Sequence, residues 1–466
     1  MRGGRSLLVL LVIALGLGAY IYFVERERDP AGTEAREEAF DVQPADIGEI
    51  TIRAASGEST TLRKSGDAWS LVEPVSAPAD NTVVESLLSS LSTMEIDRVI
   101  EESPTDLAPF GLEAPRLQVT FTTTGGAKHQ LAMGATTPTS SGMYARVDDN
   151  PRLLLVPAFL ESTFNKTPFD LRNRRVLDVA RDLVDRVTIA PRGATAVDLR
   201  RDGVNWRLAA PVEARADFSP ADSILSRLAT AQMTSIVKEG AAPTAAELRA
   251  WGLDAPQLTA TVGAGSTTAT LALGGARDDT SIYARDLARP IVFTVDSSLL
   301  ADLRKEPADL RVKDIFEFNA FSASTLDVTH AGATTAWAKS TPASGSDPAA
   351  QPTWSRTKPD AGEVNQTALT DLLNALSALR ADRFVPQAPS GGDTIDVAVR
   401  FGSSDSPSEE HATLRRIGNT VYAVKGGEPG AAVIPAGEFE TVLTHLKTLT
   451  TPPATTTATP AAPDTQ

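Results

Sequence analysis

Apolar residues fall at alternate positions over short runs and then on one helical face over longer ones, and this two-part rhythm returns along the chain. Glu49–Arg53, Arg116–Phe121 and Thr394–Val399 alternate as half-buried strands do. Between strands, three stripes have the spacing i, i+1, i+4, which places them on one side of a helix: Leu87, Leu88 and Leu91; Ile224, Leu225 and Leu228; Leu372, Leu373 and Leu376. Asp80, Asp217 and Asn365 precede these stripes and suit helix N-caps. Short strands follow: Asp97–Ile100, Ser235–Val237 and Asp382–Val385.

The rhythm is a repeat. Trp69, Trp206 and Trp354 lie 137 and 148 residues apart, and each is followed five positions on by a proline, Pro74, Pro211 or Pro359. One large aromatic per copy in a strand-like segment reads as core rather than as a ligand platform. The first two copies also share Gly111-Leu112-Glu113-Ala114-Pro115 with Gly252-Leu253-Asp254-Ala255-Pro256, and Leu131–Gly134 with Leu271–Gly274. Tyr144-Ala145-Arg146 matches Tyr283-Ala284-Arg285, and Asp170-Leu171-Arg172 matches Asp309-Leu310-Arg311; both tyrosines read as core. The third copy lacks the Gly-Leu-acid-Ala-Pro turn and keeps only Tyr422-Ala423-Val424, as a terminal, capping copy would. Its longer spacing is accounted for by a Ser/Ala/Pro/Gly loop, Ser340 to Pro352. Many strands and one main helix per copy predict an α+β fold of three tandem repeats with mostly antiparallel sheet. The copies are assigned to residues 46–178, 179–317 and 318–450.

Leu7–Val24 breaks the rhythm: eighteen residues without a charge, enough to span about 27 Å as a helix. Arg2 and Arg5 precede it, while Glu25 to Arg28 cancel. The positive-inside bias predicts a single-pass transmembrane anchor over residues 1–24, its N-terminus cytoplasmic and the rest extracytoplasmic. The run exceeds a signal-peptide core and no small-x-small site follows it, so the anchor is expected to stay uncleaved. The charged stretch 25–45 reads as a stalk, and the Thr/Pro/Ala tail 451–466 as disordered.

Composition narrows the chemistry. The net charge of −15 disfavours nucleic acid. The chain has no cysteine, which removes disulfides and thiolate chemistry. His129, His330, His411 and His445 form no metal-ligand spacing, and no nucleotide-binding, serine-hydrolase or zinc-protease motif is present. No catalytic, cofactor-binding or metal-binding residue is therefore assigned, and no cofactor is expected. The basic run Arg172, Arg174, Arg175 and Arg181, interleaved with Asp170, Asp178 and Asp182, reads as a solvated, self-paired connector.

Taken in order, the anchor, the Trp–Pro segment, the capped Leu-rich helix, Gly-Leu-acid-Ala-Pro, Leu-x-[Met/Leu]-Gly and Tyr-Ala-Arg resemble the bacterial membrane-anchored family known as domain of unknown function 4340. The resemblance covers roughly residues 46–450. It implies an accessory role, because members are often encoded beside ABC-type exporters with gliding-motility-like subunits, and it carries no catalytic residues to transfer. The expectation is a non-enzymatic, extracytoplasmic accessory or scaffold protein of the inner membrane, with protein partners that include ABC transporter subunits. A periplasmic binding module for glycan, peptide or lipid is the alternative, and an anchored hydrolase, which paired carboxylates alone would permit, the second. What recurs between copies is shape-specifying, so function is expected in extended surface near the stretches Asp178–Asp185 and Glu317–Ser324 rather than in one pocket.

Overall fold

The computed structural model describes residues 37–340, 352–403 and 406–450. The anchor, the first part of the stalk, the inner part of the Ser340–Pro352 loop and the tail lie outside the described residues.

Each copy builds its own nine-stranded, wholly antiparallel sheet, and the strand order is the same in all three. In the first copy the strands are β1 (Ile47–Arg53), β2 (Ser59–Ser65), β3 (Ala68–Glu73), β4 (Ala77–Pro78), β5 (Arg98–Glu101), β6 (Leu117–Thr123), β7 (Lys128–Thr136), β8 (Gly142–Val147) and β9 (Leu153–Pro157). They lie in the order β4-β3-β2-β1-β6-β7-β8-β9-β5. The chain runs out to one edge, crosses back by helix α1 (Asn81–Ser92), lays β5 on the far edge and returns to the middle. The second and third sheets repeat this from Arg186 to Asp296 and from Ala323 to Ile434. The chain is thus α+β with three repeats.

The main core lies between α1 and one face of the sheet. Leu87, Leu88 and Leu91 are buried against β-face residues such as Ile50, Leu62 and Val119, and the corresponding helical stripes are buried in the other copies. Each such side chain contributes about 1.5–3 kcal/mol on leaving water. The caps are as the pattern requires: Asp80 accepts from the backbone N–H of Thr82 and Val83, Asp217 from that of Ser219, and Asn365 from that of Ala368. Trp69, Trp206 and Trp354 are 3%, 2% and 6% exposed and belong to the core. The prolines that follow them share a feature no periodicity could show: the bonds Glu73–Pro74, Ala210–Pro211 and Lys358–Pro359 are all cis.

A smaller cluster covers the opposite face in the first two copies. Gly111 and Gly252 turn with φ of 65°, and Leu112 and Leu253 fold down onto Tyr144 and Tyr283. Tyr144 meets Phe110 edge-on at 4.9 Å, and Tyr283 lies 6.1 Å from Trp251. The tyrosines pack in these satellites while staying half-exposed, rather than entering the main core. The Leu-x-[Met/Leu]-Gly motif is the other side of the same contact. A Cβ at Gly134 would lie 2.2 Å from the Phe110 carbonyl oxygen, and one at Gly274 2.5 Å from that of Trp251. The third copy has no such turn, and strand register puts Arg415 where the others have glycine.

The stretch read as stalk is folded from residue 37 onward. The Ala39 N–H donates to the Met94 carbonyl (2.7 Å), Arg152 donates through both terminal nitrogens to Glu37 (2.7 Å each), and Phe40 is buried edge-on against Phe121 at 5.0 Å. Two apolar residues, Phe40 and Val42, suffice to dock a segment whose remaining composition is charged and polar. The basic run is solvated only in part: Arg172 is only 6% exposed, Arg174 lies over the Phe169 ring, Arg181 pairs with Asp222 of the next helix, and Asp170 is taken by a capping box with Thr167.

Candidate interaction surface

Residues 1–174 and 175–466 form two compact units. Within the second unit, copies two and three are joined by one short extended linker. The Leu310 carbonyl accepts from the Asp217 N–H (2.8 Å), and the Val312 N–H donates to the Arg215 carbonyl (3.1 Å), so this end belongs to the edge of the second sheet. One residue later the partners change. The Lys313 carbonyl accepts from the Ala381 N–H (2.8 Å), and the Ile315 N–H donates to the Leu379 carbonyl (3.0 Å), which belong to the third copy. At about 3.3 Å per residue, a linker that changes partner within one step leaves no slack.

Side chains lock this joint. Arg215 Nε donates to Glu428 at 2.5 Å, and the Arg311 guanidinium reaches the other Glu428 oxygen at 3.4 Å. Arg215 also pairs with Glu317 and donates to the Asp314 carbonyl at 3.1 Å. The Glu317 N–H donates to Glu410 (2.8 Å), which in turn pairs with Lys425. Arg311 stacks over Phe384 at 3.8 Å. Burial pushes the Arg215 pKa down, but Glu428 and Glu317 more than offset it and hold it above its ordinary value. For Arg311 burial prevails and lowers it. A half-buried network of this kind adds little net stability, yet it leaves one arrangement in which every charge is met.

The stretches 178–185 and 317–324 each present an exposed apolar side chain on a fixed turn. Leu183, 65% exposed, sits in the short 3-10 turn Arg181–Leu183 just before the second sheet. Arg201 donates to the Asp182 carbonyl at 3.2 Å and holds that turn. Phe321, 90% exposed, lies just before the third sheet, which begins at Ala323. Asn319 Oδ1 accepts from the N–H groups of Phe321 (3.1 Å) and Ser322 (2.9 Å), and Lys339 donates to the Phe321 carbonyl (2.9 Å). The backbone is held while the side chain faces water, the arrangement of a preformed contact point.

Three of the histidines meet carboxylates: His129 with Asp148 (3.0 Å), His330 with Asp393 (3.1 Å) and His411 with Glu409 (2.6 Å). Among the described residues no three His, Asp or Glu side chains are grouped to hold a metal ion. The sequence pointed to the two pre-strand stretches, but not to the Arg215–Glu428–Arg311 network. Its members come from three separate parts of the chain.

A family model described as a domain of unknown function (DUF4340) matches residues 69–205 and 206–395. The matched segments begin at Trp69 and Trp206, in the third strand of each sheet, so each runs out of one copy into the next. No curated protein and no solved structure matches the chain.

Proposed function

The chain belongs to the DUF4340 family, and we propose that it serves as a non-enzymatic accessory or scaffold protein, held at the bacterial cytoplasmic membrane with its three copies outside the cytoplasm. The observation that carries this reading is that Leu183 and Phe321 are exposed apolar residues on braced turns just before the second and third sheets. Exposed apolar contact points ahead of successive sheets suit an extended partner surface better than a small ligand. The family resemblance favours an ABC-type exporter as that partner. The test places photo-crosslinking residues at 183 and 321 in the membrane-embedded full chain. Recovery of the same integral membrane transporter subunit from both sites is expected; adducts confined to lipid, or no adducts, would overturn the proposal.

A second reading, a binding module for glycan, peptide or lipid, has one observation in its favour. The third sheet lacks the turn that covers the outer face in the other copies, leaving an open depression of about 390 Å³ beside Asp327, Asp396, His411 and Thr413. Retention of the chain on immobilised peptidoglycan or lipid, abolished by His411→Ala with Asp396→Ala, would favour it over the scaffold.

A further inference from the structure

In the first two copies one face of the sheet is finished by a segment that the third copy lacks. After the short helix Phe159–Phe164, the chain leaves helical geometry, crosses toward the edge strand and pairs Arg172 with Ala79. Along the way Asn165 Oδ1 accepts from the Ala55 N–H (2.9 Å), Leu171 is fully buried, and its carbonyl accepts from the Asp80 N–H (2.9 Å). The second copy does the same after Ser298–Leu303, burying Leu310 and pairing Arg311 with Ala216. Both segments read Pro-x-Asp-Leu-Arg, Pro168–Arg172 and Pro307–Arg311.

In the third copy the corresponding helix, Ala436–Thr450, continues instead of breaking. Among the described residues no β-bridge is made to Val364, the counterpart of Ala79 and Ala216, whose carbonyl accepts instead from Gln366 Nε2 at 3.1 Å. The track is left as a groove of about 430 Å³, lined by His330, Thr335, Arg356, Pro359, Leu446 and Lys447 among others. Register identifies it as the same track. Thr335 stands where Thr60 and Val197 are buried, and Arg356 where Leu71 and Leu208 are fully buried. Where Leu71 and Leu208 form an apolar floor in the first two copies, the third copy has Arg356.

We propose that this groove takes an extended segment of a partner protein, of the Pro-x-Asp-Leu kind that fills the same track in the first two copies, with acidic flanks. The leucine would enter beside Leu446 and Pro359, and the backbone would add along the strand edge at Val364. The acidic flanks follow from charge: Arg356 and Lys447 line the groove and no carboxylate does, in a chain whose net charge is −15. The chain's own tail, Thr451–Gln466, holds only Thr, Pro, Ala, Asp and Gln, with no side chain the size of leucine. The inference rests on the scaffold reading only in assigning the segment to a partner.

The probe is a labelled peptide with the sequence of residues 167–173 and two added N-terminal aspartates, titrated against the full chain in detergent micelles and followed by anisotropy. Saturable binding is expected. It should weaken by about tenfold in Arg356→Glu with Lys447→Glu, and vanish when the peptide leucine is replaced by aspartate. Thr335→Trp, which fills the groove, should also abolish it, with thermal melts confirming that the variants fold. No saturable binding, or binding unchanged in these variants, would overturn the proposal. Binding seen only after removal of residues 451–466 would also overturn it, by assigning the groove to the tail. Because the titration uses purified chain, its failure leaves crosslinking at 183 and 321 untouched, and the reverse also holds.

Discussion

Arg215 and Glu428 are 213 positions apart in the chain, and their side chains meet at 2.5 Å where the second and third copies join. Arg215 lies on the edge strand of one sheet, and Glu428 in the hairpin turn before the last strand of the next. Their contact, with Arg311 on the second carboxylate oxygen, ties the second copy to the third.

Glu428→Gln should therefore loosen the joint rather than either sheet. The cost should be about 2 kcal/mol, below the ~3–5 kcal/mol of breaking a fully buried pair, because Arg215 keeps Glu317 and some water. Urea unfolding should show a lower midpoint, and hydrogen exchange should quicken at the Ile315 and Ala381 amides, which cross the joint. Unchanged exchange there would show that the backbone linker alone holds the copies together.

Gly134→Ala tests the pairing of two motifs that are separate in sequence. Its Cβ would meet the Phe110 carbonyl oxygen at 2.2 Å, so the turn at Gly111 must lift off. Destabilisation of roughly 1–3 kcal/mol is expected, with loss of the Phe110–Tyr144 contact. Gly48→Ala is the control, since its new methyl meets nothing closer than 3.6 Å. Equal thermal midpoints for the two variants would refute the coupling.

Acid should act on the second copy through Glu247. Hydrogen bonding from Lys238, then from the Thr244 backbone and hydroxyl, lowers its pKa from 4.5 to about 2. A depressed carboxylate stabilises the fold in full above its unfolded pKa, and that contribution is lost as pH falls through the folded value. The window is thus about pH 4.5 down to 2. Glu247→Gln should be less stable than the parent at neutral pH, and the difference should close across that window. A difference constant from pH 7 to 2 would show that the carboxylate charge is not what matters.

Much of the fold was legible because it is written locally and three times. A tryptophan, a capping Asp or Asn and an i, i+1, i+4 stripe each declare burial or a helix start within a few residues, and recurrence separates that signal from chance. The sequence by itself determined the copy number, the α+β class, the tryptophan cores, the helix starts and the degenerate state of the last copy. The tertiary structure alone decided which residues far apart in the chain share a surface. That Gly134 must be glycine because of Phe110, that Phe40 and Val42 fold a charged segment into the first copy, and that Arg215, Arg311 and Glu428 close one joint are facts of strand register and linker path. So is the open groove beside Arg356. These depend on which backbone passes within a few ångströms of another, and no local pattern of apolar and polar residues records that distance.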